Sequence, residues 1–378
     1  MRTPLRTVAA ASFALSFTLQ AHAMTYAYIS SPEDGLISQY RLDDATGALA
    51  LVEQTQAGAQ VNPMALSPDG KALYAALRAK PYTVKAYRVD PETGHLTETG
   101  QAPLADSLAY LSTDRSGRWL LGASYGADLI SSQPIGADGQ PGTPIQTFKT
   151  GPHAHSVRTA PSNRFAYAGN LGADHVLQYR FDATTGSLAP VGTGYVSVPA
   201  KTGPRHIAFS PDGRFLYVVG EMSGTITAYA IDQQTGALSE LASVSGIPES
   251  LGLAHGEVRD ASNNNLEGDP TRRIWAADVR VSPDATLLYM TERTTSSVSA
   301  FSIDATTGKP TFVANYPVQE QQPRNIAFSP NGRWLLVTGE KSATVGSYAI
   351  GEHGALRRVG QAPSGKGALW IEVGQARP

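Results

Sequence analysis

Eight side chains of this sequence are suited to chemistry and stand at related places: His155, Arg205, Glu221 and Arg293 as candidate catalytic groups, with Arg324, Arg78, Glu340 and Tyr125 as candidate substrate contacts. A histidine titrates near neutrality and can take a proton from water. Arginines stay charged at any working pH, so several together stabilise an oxyanion or grip polar groups. Carboxylates among them would orient the imidazole or the guanidinium groups. Such a set combines one titratable base with several fixed cations, which is the make-up of a site. The chain has no cysteine, which removes thiol nucleophiles, disulfides and cysteine-held metal together. It also lacks a phosphate loop and a dinucleotide glycine fingerprint, so neither cofactor nor metal is expected. His153 and His155 make a His-x-His pair, a weak metal signal without carboxylates at suitable spacing; His153 is expected to be structural or to support His155. Ser156 beside His155 is no sign of a triad, because adjacent strand residues point to opposite faces. Arg158, Arg280 and Asp174 could also approach the channel, although packing between blades explains them equally well.

The elements that must position these residues are legible as a repeat. A turn followed by an aliphatic and aromatic run recurs six times: Ser67-Pro68-Asp69-Gly70 before Tyr74, Arg115-Ser116-Gly117 before Trp119, Pro161-Ser162-Asn163 before Tyr167, Pro211-Asp212-Gly213 before Tyr217, Pro283-Asp284-Ala285 before Tyr289, and Pro330-Asn331-Gly332 before Trp334. A second turn, typified by Asp43 to Gly47, places glycine at 47, 94, 139, 186, 236, 308 and 354. Most intervals are close to 47 residues, enough for four short strands and tight turns. The expected fold is all-β, a seven-bladed β-propeller of four-stranded antiparallel blades. The first blade lacks its own inner strand, and residues 368–373 are expected to supply it, closing the ring from the C-terminus.

In such a blade the start of the innermost strand and the end of the second strand meet on one face of the ring. Six positions before each turn proline or its equivalent stand Asn62, Ala109, His155, Arg205, Ala277 and Arg324; four positions after each repeated Tyr or Leu stand Arg78, Tyr125, Leu171, Glu221, Arg293 and Glu340. A purely structural repeat would tolerate one residue type at every copy. These positions differ from blade to blade, which points to a site at one mouth of the central channel.

Of the 378 residues 16% are charged, and the formal net charge of -2 gives no basic face for nucleic acid. Arg2 and Arg6 precede an apolar run from Val8 to Leu19 and the small-residue pattern Ala21-His22-Ala23, so residues 1–23 read as a secretory signal and residues 24–378 as one domain. Export to the periplasm follows for a Gram-negative source, and no later run is long enough for a membrane span. One glycine interval of 72 residues implies an insertion at about 247–273, a loop rich in Gly, Pro and Asn that could be a lid, a contact surface or a solvated excursion. Oligomeric state is not encoded in any of these features.

The stretches Gly203-Pro204-Arg205-His206, Trp275-Ala276-Ala277-Asp278-Val279-Arg280, Glu292-Arg293-Thr294, Gln322-Pro323-Arg324 and Gly339-Glu340-Lys341-Ser342 resemble the lactonase family of seven-bladed propellers over essentially all of 24–378. That family includes cycloisomerase-type 6-phosphogluconolactonases, secreted gluconolactonases and carboxymuconate cyclases. The resemblance implies a site at His155, Arg205, Glu221 and Arg293 and a small-molecule sugar lactone as substrate. The signal segment and the longer loop before Trp275 depart from the cytoplasmic members. With export, the implied reaction is hydrolysis of glucono-1,5-lactone to gluconate, His155 activating water while Arg205 and Arg293 face the oxyanion; Glu221 as base with His155 as acid is the alternative. Hydrolysis of the 6-phosphate, a lactonizing reaction on a muconate derivative, and a non-catalytic binding propeller are the competing readings.

Overall fold

A computed structural model of the chain describes residues 24–266 and 268–376, and the secretory signal expected at 1–23 lies outside the described residues. Seven four-stranded antiparallel sheets form the blades, as the repeat requires. The innermost strands are, in chain order, Val61–Leu66, Tyr110–Thr113, Ala154–Thr159, Pro204–Phe209, Ala276–Val281, Pro323–Phe328 and Trp370–Ala376. Each touches the innermost strand on either side of it, so together they line a central channel. The last strand pairs antiparallel with Met24–Ser31, Glu372 opposite Tyr28, and thereby completes the first blade and the ring.

The repeated aromatic residues have a function that their β-propensity alone did not indicate. Tyr28, Tyr74, Tyr167, Tyr217 and Tyr289 each donate a hydrogen bond of 2.7–3.0 Å to the carbonyl of the turn glycine in the next blade, namely Gly94, Gly139, Gly236, Gly308 and Gly354. Where the tyrosine position holds Leu121 or Leu336, a tryptophan two residues earlier takes over: Trp119 Nε1 donates to the Ala183 carbonyl at 3.0 Å and Trp334 Nε1 to that of Asp44 at 3.1 Å. Every blade is thus latched to its neighbour. Gly47 shows why these turns need glycine: its φ is 75°, and a Cβ there would lie 2.6 Å from the Trp334 ring. Apolar side chains between blades form the rest of the core, for example Phe215 and Tyr217 against Leu288, Met290 and Phe301.

Register slips by a bulge at the start of five innermost strands, between Val61 and Met64, Ala154 and Ser156, Pro204 and Ile207, Ala276 and Val279, and Pro323 and Asn325. A bulge breaks strict alternation and re-aims a side chain. His155, Arg205 and Arg324 all sit in these bulges. Between the strands Leu238–Ser245 and Ala276–Val281, the long connection carries two 3₁₀ turns, Glu249–Leu251 and Ala261–Leu266, and a single parallel bridge from Ala254 to Arg273. No helix among the described residues is long and apolar enough to cross a membrane.

Candidate active site

At the end of the channel where the innermost strands begin, a recess of about 160 Å³ is lined by Arg78, Ala109, Tyr125, His155, Glu221, Arg259 and Arg324. A smaller one of about 20 Å³ continues it inward between Asn62, Arg78, Ala109, His155, Arg205, His206, Arg324, Leu369 and Trp370. The structure therefore brings His155, Glu221, Arg205, Arg324, Arg78 and Tyr125 to one mouth. Arg293 and Glu340 stand just behind, as partners of lining residues rather than as lining themselves.

Glu221 is the anchor of the cluster. Its Oε2 accepts a 2.5 Å hydrogen bond from Arg205 Nε, and its Oε1 lies 2.9 Å from an Arg293 nitrogen and 3.9 Å from one of Arg259. Burial alone would raise its pKa, but Arg293, Arg205, Arg259 and Arg324 outweigh that and hold it at about 2. Arg205 is 1% exposed and also donates through Nη1 to the Ala277 carbonyl at 2.5 Å. Arg293 donates through Nε to the Trp275 carbonyl at 2.9 Å; its contact with Glu221 has the separation of an ion pair but not the angle of a hydrogen bond. The two arginines are fixed in place by backbone carbonyls and one shared carboxylate.

His155 differs from this bonded surrounding. It is 6% exposed, its side chain makes no hydrogen bond among the described residues, and its Nδ1 is buried without a partner. Burial, with Arg205, His206 and Arg324 nearby, pushes its pKa well below 6.5, so the imidazole is neutral at physiological pH. Arg324 is held loosely by Glu340 at 3.4 Å, and Arg78 by Ser107 Oγ at 3.0 Å. Neither guanidinium is saturated, which leaves donors for a ligand.

His153 does not line the recess with His155. It precedes the strand Ala154–Thr159, has φ 64° and stacks on Tyr125 with ring centroids 4.2 Å apart. Carboxylates do lie near it, contrary to expectation from local spacing: Asp260 at 3.3 Å and Asp128 at 3.8 Å, both brought from distant segments. No cluster of three or more metal-type ligands occurs among the described residues. Asp174 accepts from the backbone N–H groups of Lys201 and Gly203, a turn-holding role, while Arg158 and Arg280 open onto the other end of the channel.

Two groups escaped the sequence reading. Arg259 comes from the inserted segment, lies over the Trp275 ring at 4.4 Å and accepts the Tyr125 hydroxyl on its carbonyl at 3.0 Å. An irregular segment has no register from which its position could be read. Below the recess, His206 Nδ1 lies 2.8 Å from Asp278, which also receives Asn325 at 2.7 Å and Arg280 at 3.0 Å. Burial and Arg205 outweigh Asp278 and lower the His206 pKa to about 3. His206 does lie in the quoted Gly203 to His206 stretch, but nothing in the local sequence pairs it with Asp278, 72 residues away.

Comparison with known proteins agrees with this architecture. Residues 26–373 match the family described as lactonase, 7-bladed β-propeller. The chain is 33% identical over 347 residues to a 6-phosphogluconolactonase of Pectobacterium carotovorum, covering 92% of this chain and 97% of that protein. It is 32% identical to a protein of the same name from Serratia proteamaculans, covering 92% and 98%. Among solved structures, a periplasmic gluconolactonase of Pseudomonas aeruginosa superposes with a TM-score of 0.77 at 25% identity, covering 93% of this chain and 98% of that one. On the fold, the channel-mouth geometry and this match, the chain belongs to the lactonase family of seven-bladed β-propellers.

Proposed function

We propose that the protein hydrolyses a sugar δ-lactone at the mouth that holds His155 and Glu221. The supporting observation is the pairing of a neutral, hydrogen-bond-free histidine with arginines fixed by Glu221 in one recess. In this reading His155 takes a proton from water as the water oxygen bonds to the lactone carbonyl carbon. The negative charge that develops on the carbonyl oxygen is met by the arginines of the mouth, whose positions are set before substrate arrives. The ring C–O bond then breaks, and the imidazolium returns the proton to the departing oxygen, leaving a hydroxy acid. Lactone and water account for every atom of the product. A depressed histidine pKa weakens the base but makes its conjugate acid a strong donor in the second step. Glu221 serves poorly as the base, because it is ionised, acid-shifted and engaged by arginines on both oxygens.

The substrate proposed is glucono-1,5-lactone, acted on in the periplasm. It rests on the signal pattern of residues 1–23 and on the likeness to the Pseudomonas periplasmic gluconolactonase. Names of the Pectobacterium and Serratia relatives favour the 6-phosphate instead, and the unsaturated Arg78 and Arg324 would suit its charge. Comparing kcat/KM for the two lactones with purified protein, after subtraction of the buffer rate, decides between them. A rate no higher than buffer with both would leave the binding-protein reading.

A further inference from the structure

The opposite end of the channel holds a second charged recess. The strands Ala154–Thr159 and Ala276–Val281 end there, carrying Arg158 and Arg280, and Arg115 follows the strand Tyr110–Thr113. Three residues of strand, about 10 Å, separate His155 from Arg158. Between the two ends the rings of Tyr110, His206 and Trp370 stand edge to face, with centroids 5.0, 5.2 and 5.7 Å apart. His206 and Trp370 face the first mouth and Tyr110 the second, so this aromatic floor divides the channel.

Two adjoining recesses of about 150 and 420 Å³ at this far mouth share Arg115, Arg158 and Arg280. The charges there are not matched. Arg280 is paired with Asp278 at 3.0 Å. Asp114 is already used by the backbone N–H groups of Arg118 and Trp119, by Ser116 and by the Asn163 amide. Glu372 accepts from Trp370 Nε1 at 2.8 Å, and burial pushes its pKa up, so its charge is a weak counterweight. Arg158 has a single carbonyl acceptor, that of Ile207 at 3.3 Å, and the Arg115 guanidinium has none among the described residues. Thr159 lines the same recess at 2% exposure, with a hydroxyl that has no hydrogen-bond partner among the described residues. A buried hydroxyl left unpaired is costly, and two unmatched guanidinium groups beside it complete a donor set with no acceptor.

We propose that this far mouth binds a small oxyanion, a phosphate or a carboxylate, held by Arg115 and Arg158 with Thr159 as an additional donor. The site is separate from the lactone site and does not depend on that assignment. Calorimetric titration of the intact protein with inorganic phosphate, and separately with gluconate, at ionic strength held constant with sodium chloride, tests it and distinguishes the two anion types. Binding of at least one of them is expected to weaken about tenfold in Arg158→Ala and several-fold in Arg115→Ala. Should phosphate occupy both mouths, Arg115→Ala removes one of two binding events. Because Arg115 is exposed and its side chain supports no other group, that variant decides the matter even if Arg158→Ala fails to fold. Absence of binding by both anions, or titrations indifferent to Arg115→Ala, would overturn the proposal.

Discussion

Glu221 spends both carboxylate oxygens on arginines, whereas His155 a short distance away spends none of its ring nitrogens on protein. That contrast assigns different duties to the two residues, and each duty has a measurable consequence. If neutral His155 is the base, the enzymatic rate stays flat as pH falls through 6.5 and declines only at lower pH, because the folded site resists protonating it. A break in the profile centred on 6.5 would contradict this. Glu221→Gln removes the charge that anchors Arg205 and Arg293 and is expected to lower stability by about 3 kcal/mol, read from urea denaturation, since it strands buried guanidinium groups. Acid should weaken the fold for a related reason. Glu221 is held at about 2 and His206 at about 3, both below their ordinary values. As pH falls below about 6.5 the unfolded chain binds a proton at His206 that the fold refuses, and below about 4.3 the same holds for Glu221. Melting temperature is therefore expected to drop steadily from pH 6.5 toward 3, and His206→Gln should flatten the upper part of that slope. Strand register in the sequence was enough to gather His155, Arg205, Glu221 and Arg324. It could not show that Arg205 turns to Glu221 of its own blade, because the bulge that carries Arg205 re-aims its side chain, nor that Arg293 of the next blade shares that carboxylate.

At the scale of elements, the ring of tyrosine and tryptophan latches explains why the repeat alternates between Leu-Tyr and Trp-Leu-Leu endings. Both endings send one donor to the adjacent turn. Tyr217→Phe keeps the packing and loses one buried hydrogen bond to Gly308, so a loss of about 1 kcal/mol in denaturant unfolding is expected, with activity retained. Periodicity revealed the turns and strands, yet the latch spans 65 to 91 residues in most blades and lies beyond any local pattern. The inserted segment was visible only as an overlong interval. Its Arg259 reaches the recess, and Arg259→Ala is expected to raise KM several-fold with little change in kcat, since the side chain stands at the rim above Trp275. An unchanged KM in that variant would reduce the segment to a bystander.

For the whole molecule, seven blades of similar shape hold unlike side chains at the same height, and the asymmetry that results is concentrated at the two channel mouths. Ring closure by Trp370–Ala376 ties that geometry to the last strand of the chain. The repeat made this architecture readable from the sequence, because each unit announces its own turns; which end of the channel would carry a neutral histidine, and which a second set of arginines, required the strand directions as well. The most direct measurement is the rate of glucono-1,5-lactone opening above buffer for wild type, His155→Gln and Arg324→Ala at equal protein concentration and pH 6.5. The account predicts clear catalysis by wild type, a loss of at least about a hundredfold in His155→Gln with its melting curve intact, and a smaller loss in Arg324→Ala. Equal rates for wild type and His155→Gln would contradict it.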